Sequence, residues 1–269
     1  MKNPSTIYPG LVGILAGLCS FSAFAESDEE LAKKALNPVA AMISLPIQVN
    51  YDSDIGPAKE GTKTLINIQP VIPFSMNEDW NLISRTILPL VDQKNVTPTS
   101  GSQSGVGDIV QSVFFSPKKT TANGWILGAG PVLLLPSGSN EFSAKKWGAG
   151  PTIVALKQDS GWTYGVLANH LWSFAGDAER ADISATFVQP FLSYTNKSYL
   201  TLGLNTESTY DWKSEKWLVP LNFTATQMLK IGGQPLTLTA GARYWASTPK
   251  GVGPEGWGFR LALTLLFPK

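Results

Sequence analysis

Charged side chains inside alternating apolar segments are the residues of this sequence best placed to do chemistry. Glu207, Arg243 and Arg260 share parity with the polar positions of their segments, and Arg85 and Asp108 follow the same pattern less closely. A basic residue facing lipid costs about 2–4 kcal/mol at the membrane centre, so we expect all five to face a lumen. Rings of charge set selectivity in pores. The alternative is a salt-bridge network that seals and braces the interior.

The single histidine, His170, invites a catalytic interpretation because Asn169 and Ser173 stand close to it in the sequence. On a regular strand, however, His170 and Ser173 fall on opposite faces. A triad with a serine from another strand stays open, since sequence does not fix spatial partners. The pattern favours a boundary residue beside Trp172, and we predict no catalytic residue.

The composition excludes several classes of function. Lys and Arg number 21 against 20 Asp and Glu, so there is no basic surplus for a nucleic-acid partner. One His and one Cys, Cys19, exclude zinc clusters, iron–sulfur sites and disulfide scaffolds. We therefore predict no metal and no cofactor.

Residues 1–25 have the pattern of a signal peptide for Sec export. Lys2 precedes an apolar stretch over 7–18, and Ala23-Phe24-Ala25 provides small residues for cleavage after Ala25. An N-terminal membrane anchor or a lipoprotein signal fits less well. Beyond this segment no apolar run reaches the roughly 18 residues of a spanning helix.

The remaining chain alternates with a period of two after a short helix. Ser27 and Glu30 form a capping box that predicts a helix over 27–36, within an N-terminal segment (26–38) that we expect to plug the periplasmic mouth. Residues 39–269 then predict an antiparallel all-β barrel of about twelve strands. Connections alternate in length, with long ones at 52–62 and 92–104, as outer-membrane barrels require. The predicted strands lie near 43–51, 66–74, 80–91, 105–115, 124–135, 147–157, 162–173, 183–194, 199–212, 217–229, 236–246 and 257–267.

Three features predict an apolar exterior around a wet lumen. About twelve strands enclose an interior too wide for side chains to fill. The last strand alternates from Phe259 to Phe267, an apolar pattern typical of chains handled by the outer-membrane assembly machinery. All nine tryptophans lie at strand ends, as in aromatic girdles at lipid–water boundaries. All but Trp245 share the apolar parity, which gives a predicted girdle of Trp80, Trp125, Trp147, Trp162, Trp172, Trp212, Trp217 and Trp257.

Several motifs in fixed order resemble a bacterial family named for a MetA pathway of phenol degradation, whose members are often labelled transporters. The resemblance covers nearly the whole exported chain and implies an outer-membrane barrel that admits small aromatic or hydrophobic compounds. The motifs are the segments 36–40 (LNPVA), 105–108 (GVGD), 128–136 (GAGP to LP), 147–151 (WGAGP) and 164–176 (YGVLANHLWSFAG).

These patterns together predict an outer-membrane channel for small molecules. Its expected partners are outer-membrane lipids, the assembly machinery and a small-molecule solute. A lipid-modifying enzyme of the outer membrane and a structural barrel with a closed lumen are the alternatives. The two GAGP segments, 128–131 and 148–151, lack the following helix of a nucleotide-binding loop. We expect their glycines to serve curvature or room in the lumen.

Overall fold

One short helix precedes the strands in the computed structural model, which describes residues 27–97 and 99–268. The predicted signal peptide, 1–25, lies outside these residues. Helix α1 spans Asp28–Ala35, and the Ser27 side chain accepts a hydrogen bond from Glu30 N at 3.2 Å. This is the expected N-terminal cap, with acidic residues in the first turn where the helix dipole favours them. No described helix is long and apolar enough to cross a membrane.

Twelve strands follow α1, three of them in two segments. They are β1 (Ile43–Ile55), β2 (Gly61–Ile68 and Val71–Ser75), β3 (Trp80–Lys94), β4 (Ser102–Val106 and Ile109–Pro117), β5 (Trp125–Leu135), β6 (Lys146–Asp159), β7 (Trp162–Gly176), β8 (Ser184–Thr195), β9 (Leu200–Thr206 and Ser208–Asp211), β10 (Lys216–Ile231), β11 (Gln234–Ser247) and β12 (Gly256–Phe267).

The strands form a closed antiparallel barrel. Each strand pairs with the next along the chain, and β12 returns to pair with β1, from Ile43 opposite Phe267 to Tyr51 opposite Phe259. Closure leaves no free sheet edge, so every strand has two hydrogen-bonding neighbours. The predicted fold class, a barrel of twelve strands with a short N-terminal helix, is confirmed.

Prolines explain the interruption of β9 at Glu207. The pairs Val188–Ser208 and Phe191–Asn205 bracket Pro190 on the neighbouring strand β8, and Pro220 lies at the same level on β10. Proline has no backbone N–H to donate to a ladder. The hydrogen-bonding pattern therefore lapses on both sides of Glu207.

The outer surface of the barrel is apolar, as the alternation predicts. On β12, Trp257, Phe259 and Leu261 are exposed on one face, while Arg260 between them is buried. The same alternation runs along β10, where exposed Phe223 follows fully buried Asn222.

The interior is less uniformly polar than the sequence predicts. On the β3–β7 side, inward residues including Ile83, Phe114 and Leu156 form an apolar cluster with Val39 from the N-terminal segment. Ile83, Phe114 and Leu156 are each 0% exposed. The prediction of a wet lumen throughout is therefore wrong for this side, because the chain that enters the barrel covers it.

Two predicted outer loops are shorter than expected. The 52–62 and 92–104 connections shrink to 56–60 and 95–101, because β1 continues to Ile55 and β3 to Lys94. These strand ends extend beyond the apolar belt, where both faces carry polar residues. Alternation of hydrophobicity gives no signal there.

Candidate functional site

The N-terminal helix lies inside one end of the barrel, here called the helix end. Leu31 and Ala32 are buried in one cluster with Met228 and Leu266, which are inward residues of β10 and β12. Across the barrel, Gln158 Nε2 of β6 donates to Lys33 O at 2.9 Å. The helix is thus attached to opposite parts of the wall.

The segment after α1 is also fixed to the wall. Val39 is 4% exposed, and its backbone N–H donates to the Asn37 side chain at 2.9 Å. Gly128, in the first GAGP segment, makes room for it, since a Cβ there would lie 3.1 Å from Val39 Cγ1 and 2.9 Å from Val154 Cγ1. Room in the lumen is the role that the sequence analysis predicts for such a glycine.

A cavity of about 310 Å³ occupies the lumen above the helix. Its wall includes Leu36 and Pro38 on the helix side, and Arg85, Glu207 and Arg260 from the strands. Inward polar residues form much of the remaining surface, among them Gln48, Gln69, Gln189, Ser193, Thr201, Asn205 and Thr226.

Arg260 and Glu207 form an ion pair in the lumen. The Arg260 Nη1 and Nη2 atoms donate to the two Glu207 carboxylate oxygens at 3.0 and 2.7 Å, a bidentate geometry. Arg260 Nε donates to Asn50 Oδ1 at 2.7 Å. Arg260 and Asn50 are 4% and 1% exposed, so this charge is held by its partners and not by bulk water.

A second pair lies beside the first. Arg243 Nε lies 3.3 Å from Asp52 Oδ1, and Arg243 Nη1 lies 4.0 Å from Glu207 Oε2. Trp245 Nε1 donates to Asp52 Oδ1 at 2.7 Å, and the Arg243 guanidinium lies 4.5 Å from the Trp245 ring. Trp245 faces the lumen, which explains why it alone breaks the parity of the other tryptophans.

The structure brings four of the five predicted lumen residues together and adds others that the sequence analysis missed. Arg85 lines the same cavity and interacts electrostatically with Glu207. The additional residues are Asp52 and Lys63, which lie opposite each other on β1 and β2. We call Asp52, Lys63, Arg85, Glu207, Arg243 and Arg260 the lumen charge cluster; it holds four basic and two acidic groups.

Asp108, the fifth predicted residue, does not join this cluster. Its carboxylate accepts backbone hydrogen bonds from Gly138 at 3.0 Å and Ala144 at 2.7 Å, so it fastens the connection 136–145. That connection packs against the inner side of Gly105, where a Cβ would lie 2.2 Å from Ser139 Oγ. In the GVGD motif, Gly105 thus leaves space for the 136–145 connection and Asp108 holds that connection by hydrogen bonds, at the end of the barrel opposite the helix.

His170 lies on the outer surface, beside Trp172 as predicted. The two ring centroids are 4.0 Å apart. His170 Nδ1 lies 2.7 Å from Thr186 Oγ1, and Nε2 lies 3.4 Å from Ser184 Oγ on the neighbouring strand. Among the described residues no carboxylate or amide side chain forms a hydrogen bond with the imidazole ring.

The predicted girdle tryptophans form two belts. Trp80, Trp125 and Trp162 begin strands at the helix end, and the other five lie at the far end. Seven of the eight are exposed, and half-buried Trp125 contacts the Tyr164 ring edge-on.

A closed, girdled barrel with a charged lumen has the fold of outer-membrane β-barrel proteins. The family model described as "Putative MetA-pathway of phenol degradation" matches residues 58–217, more than half of the chain, so the chain belongs to this family. The resemblance stated from the sequence motifs is thereby confirmed. No curated protein matches the chain.

Several solved structures are similar to this chain. The COG4313 outer membrane channel from Pseudomonas putida F1 is 14% identical, with 84% of this chain and 96% of that chain covered and a TM-score of 0.65. The NanC porin is 12% identical, with 84% and 100% covered and a TM-score of 0.50. Outer membrane phospholipase A from Escherichia coli is 10% identical, with 84% and 92% covered and a TM-score of 0.47.

Proposed function

We propose that this chain is an outer-membrane channel for small molecules whose periplasmic end is closed by α1. The observation that carries the proposal is the cavity of about 310 Å³ inside the closed barrel, between the helix and the lumen charge cluster. Its wall combines polar and apolar side chains, so it offers a small molecule both hydrogen bonds and apolar contacts at membrane depth.

The outer surface supports a place in the membrane. Exposed apolar residues form a band that suits contact with lipid tails, and the tryptophan belts on either side suit the two lipid–water interfaces. The helix end then faces the periplasm, because the five strand connections there have two to seven residues, whereas the six at the far end have four to ten. Outer-membrane lipids and the assembly machinery are the proposed partners, after export directed by residues 1–25.

The solute is a small molecule, and aromatic compounds are the class that the family description favours. Solute flux through the purified protein in liposomes tests the proposal, with phenol, L-arabinose and glycine as probes. We compare the intact chain with a variant that lacks residues 27–36. The intact protein should give slow flux, and the deletion variant should give faster flux and larger steps of conductance in planar bilayers.

Folding of both proteins is checked by the mobility shift that barrels show on heating in detergent. If both barrels are folded and neither passes any solute or ion, the channel proposal fails. The structural barrel with a closed lumen is then the better description.

A lipid hydrolase is the second candidate, because His170 Nε2 and Ser184 Oγ approach to 3.4 Å on the outer surface. A serine near an imidazole can act as a nucleophile when the imidazole removes its proton. Phospholipid hydrolysis by the purified protein, with Ser184→Ala and His170→Ala variants, decides the question. Activity that both variants abolish supports the hydrolase; no activity, or activity unchanged in the variants, removes it.

A further inference from the structure

Among the described residues, two basic groups of the lumen charge cluster, Lys63 and Arg85, have no carboxylate within 4.0 Å, and of the two only Arg85 lines the cavity. The Arg85 Nη2 atom donates to Gln69 Oε1 at 2.8 Å. Arg260 and Arg243, by contrast, share Glu207 and Asp52. A guanidinium has five N–H donors in a planar fork, so Arg85 retains donors for a ligand.

The cavity that Arg85 lines has two kinds of wall. Near Arg85 lie polar side chains such as Gln69, and elsewhere the surface is formed by Val71, Leu167 and Phe191. Val71 and Leu167 belong to the apolar cluster of the interior, and Phe191 packs against it. A volume of about 310 Å³ is at the lower end of the range for small-molecule pockets.

The charges around this cavity do not balance. Of the lumen charge cluster, Arg85, Arg260 and Glu207 line the cavity, which leaves a surplus of one positive charge at its surface. A buried basic group without a counter-charge is unfavourable, so a bound anion stabilises the lumen. Glu207 lines the same cavity, and its carboxylate disfavours a ligand with a second negative charge.

We propose that the cavity is a binding site for a small organic monocarboxylate with an apolar body. The carboxylate accepts paired hydrogen bonds from Arg85, a geometry that this side chain favours. The apolar body lies against Leu167 and Phe191. The inference rests on the proposed channel function and names the solute class that its lumen selects.

Binding of sodium benzoate to the purified intact protein, measured by calorimetry, tests the site. Benzyl alcohol has the same ring without the charge, and sodium chloride supplies an anion without the ring. We expect benzoate to bind about tenfold to a hundredfold more tightly than benzyl alcohol, the range for a hydrogen-bonded charge. Chloride should compete only weakly.

The variant Arg85→Gln should lose most of the preference for benzoate. Arg180→Gln is the matched control, because Arg180 is an exposed residue of the 177–183 connection and the substitution removes the same charge. It should bind benzoate as the parent does. Arg85→Lys keeps the charge without the fork, and it should fall between the two.

Equal affinity for benzoate and benzyl alcohol in the intact protein overturns the inference, and this comparison needs no variant. Unchanged benzoate binding in folded Arg85→Gln does the same, as does displacement by chloride at similar concentration, which shows a site for inorganic anions. Flux of L-arabinose without benzoate binding rejects this site and leaves the channel intact. Absence of all flux after deletion of residues 27–36 rejects the channel itself.

Discussion

Shortening Leu31 to alanine should open the barrel without removing the helix. Leu31 is 2% exposed and packs in one cluster with Met42, Met228 and Leu266. Truncating a buried leucine to alanine costs about 2–5 kcal/mol when the site cannot collapse. The substitution destabilises only the docked state of α1, because residue 31 is exposed to solvent in the undocked helix of the parent and of the variant alike.

The magnitude follows from the same figures. A loss of about 2–5 kcal/mol in docking raises the ratio of open to closed time about 30-fold to 4,000-fold, since 1.4 kcal/mol is a factor of ten. Single-channel recording in planar bilayers measures this ratio directly. The conductance of the open state should match that of the variant that lacks residues 27–36, because α1 is away from the lumen in both.

Leu202→Ala is the matched control. Leu202 is 59% exposed on the outer surface of β9, so the same substitution leaves the docking of α1 untouched. Gating of this variant should equal that of the parent. If folded Leu31→Ala keeps the parent's ratio of open to closed time, the helix does not control the opening and the proposed role of α1 is refuted.

Three further outcomes test other parts of the structure. Replacing Glu207 by Gln leaves buried guanidinium groups without their shared carboxylate. We therefore expect the unfolding free energy, measured by urea titration, to fall by about 3–5 kcal/mol. The reversal potential in a KCl gradient should also shift towards anion selectivity. An unshifted reversal potential in the folded variant contradicts the role of Glu207 in selectivity. Gly105→Val puts side-chain atoms where Ser139 Oγ lies, so the 136–145 connection should swing outwards and become cleavable by protease in intact cells, whereas a protected connection argues against its inward packing. The Lys146 ammonium, 3.1 Å from the exposed Asp182 carboxylate, lowers the pKa of Asp182 below its ordinary 3.8. The ion pair is therefore present above pH 3.8 and is lost only as the pH falls below this value. Loss of protection from amide exchange in 177–183 already at about pH 5 would contradict this direction of the pKa shift.

The sequence predicts most of the barrel because its physical cause is local. Lipid on one side and a lumen on the other force a period of two, and β12 shows this from Trp257 to Phe267. Arg260 is easy to assign because a charged side chain in a membrane-spanning strand must face the lumen and not the lipid. The same argument finds Glu207, Arg243 and Arg85.

Other features depend on pairings that no local pattern records. Asn50 accepts a hydrogen bond from Arg260, which lies 210 residues away in the sequence, and Asp52 meets Trp245 across 193. The sequence predicts a loop over 52–62 that includes Asp52 and a strand from 66, so Lys63 falls between the two, because neither residue stands in a segment with an apolar face. Parity therefore finds three of the four basic groups of the lumen charge cluster and one of its two acidic groups.

The apolar side of the lumen escapes prediction for a different reason. Phe114 and Phe115 are adjacent, one 0% and the other 41% exposed, so both faces of β4 are apolar there. Phe114 belongs to one apolar cluster with Val39 of the entering segment and with inward residues of the wall such as Ile83 and Leu156. The segment around Val39 and the apolar inner face of β4 therefore fit each other in the structure. Nothing in the sequence of either one predicts that they meet.

The connection between α1 and β1 limits how far the helix can move. Six residues, 37–42, separate Leu36 from Ile43, and they span at most about 20 Å when extended. Val39 and Met42 are themselves buried against the wall, so the movable part is shorter still. An undocked helix stays close to its site, where its effective concentration is high and redocking is fast. We therefore expect brief, repeated openings of the intact channel, and we expect variants of Val39 to lengthen them more than variants in the exposed turn of the helix.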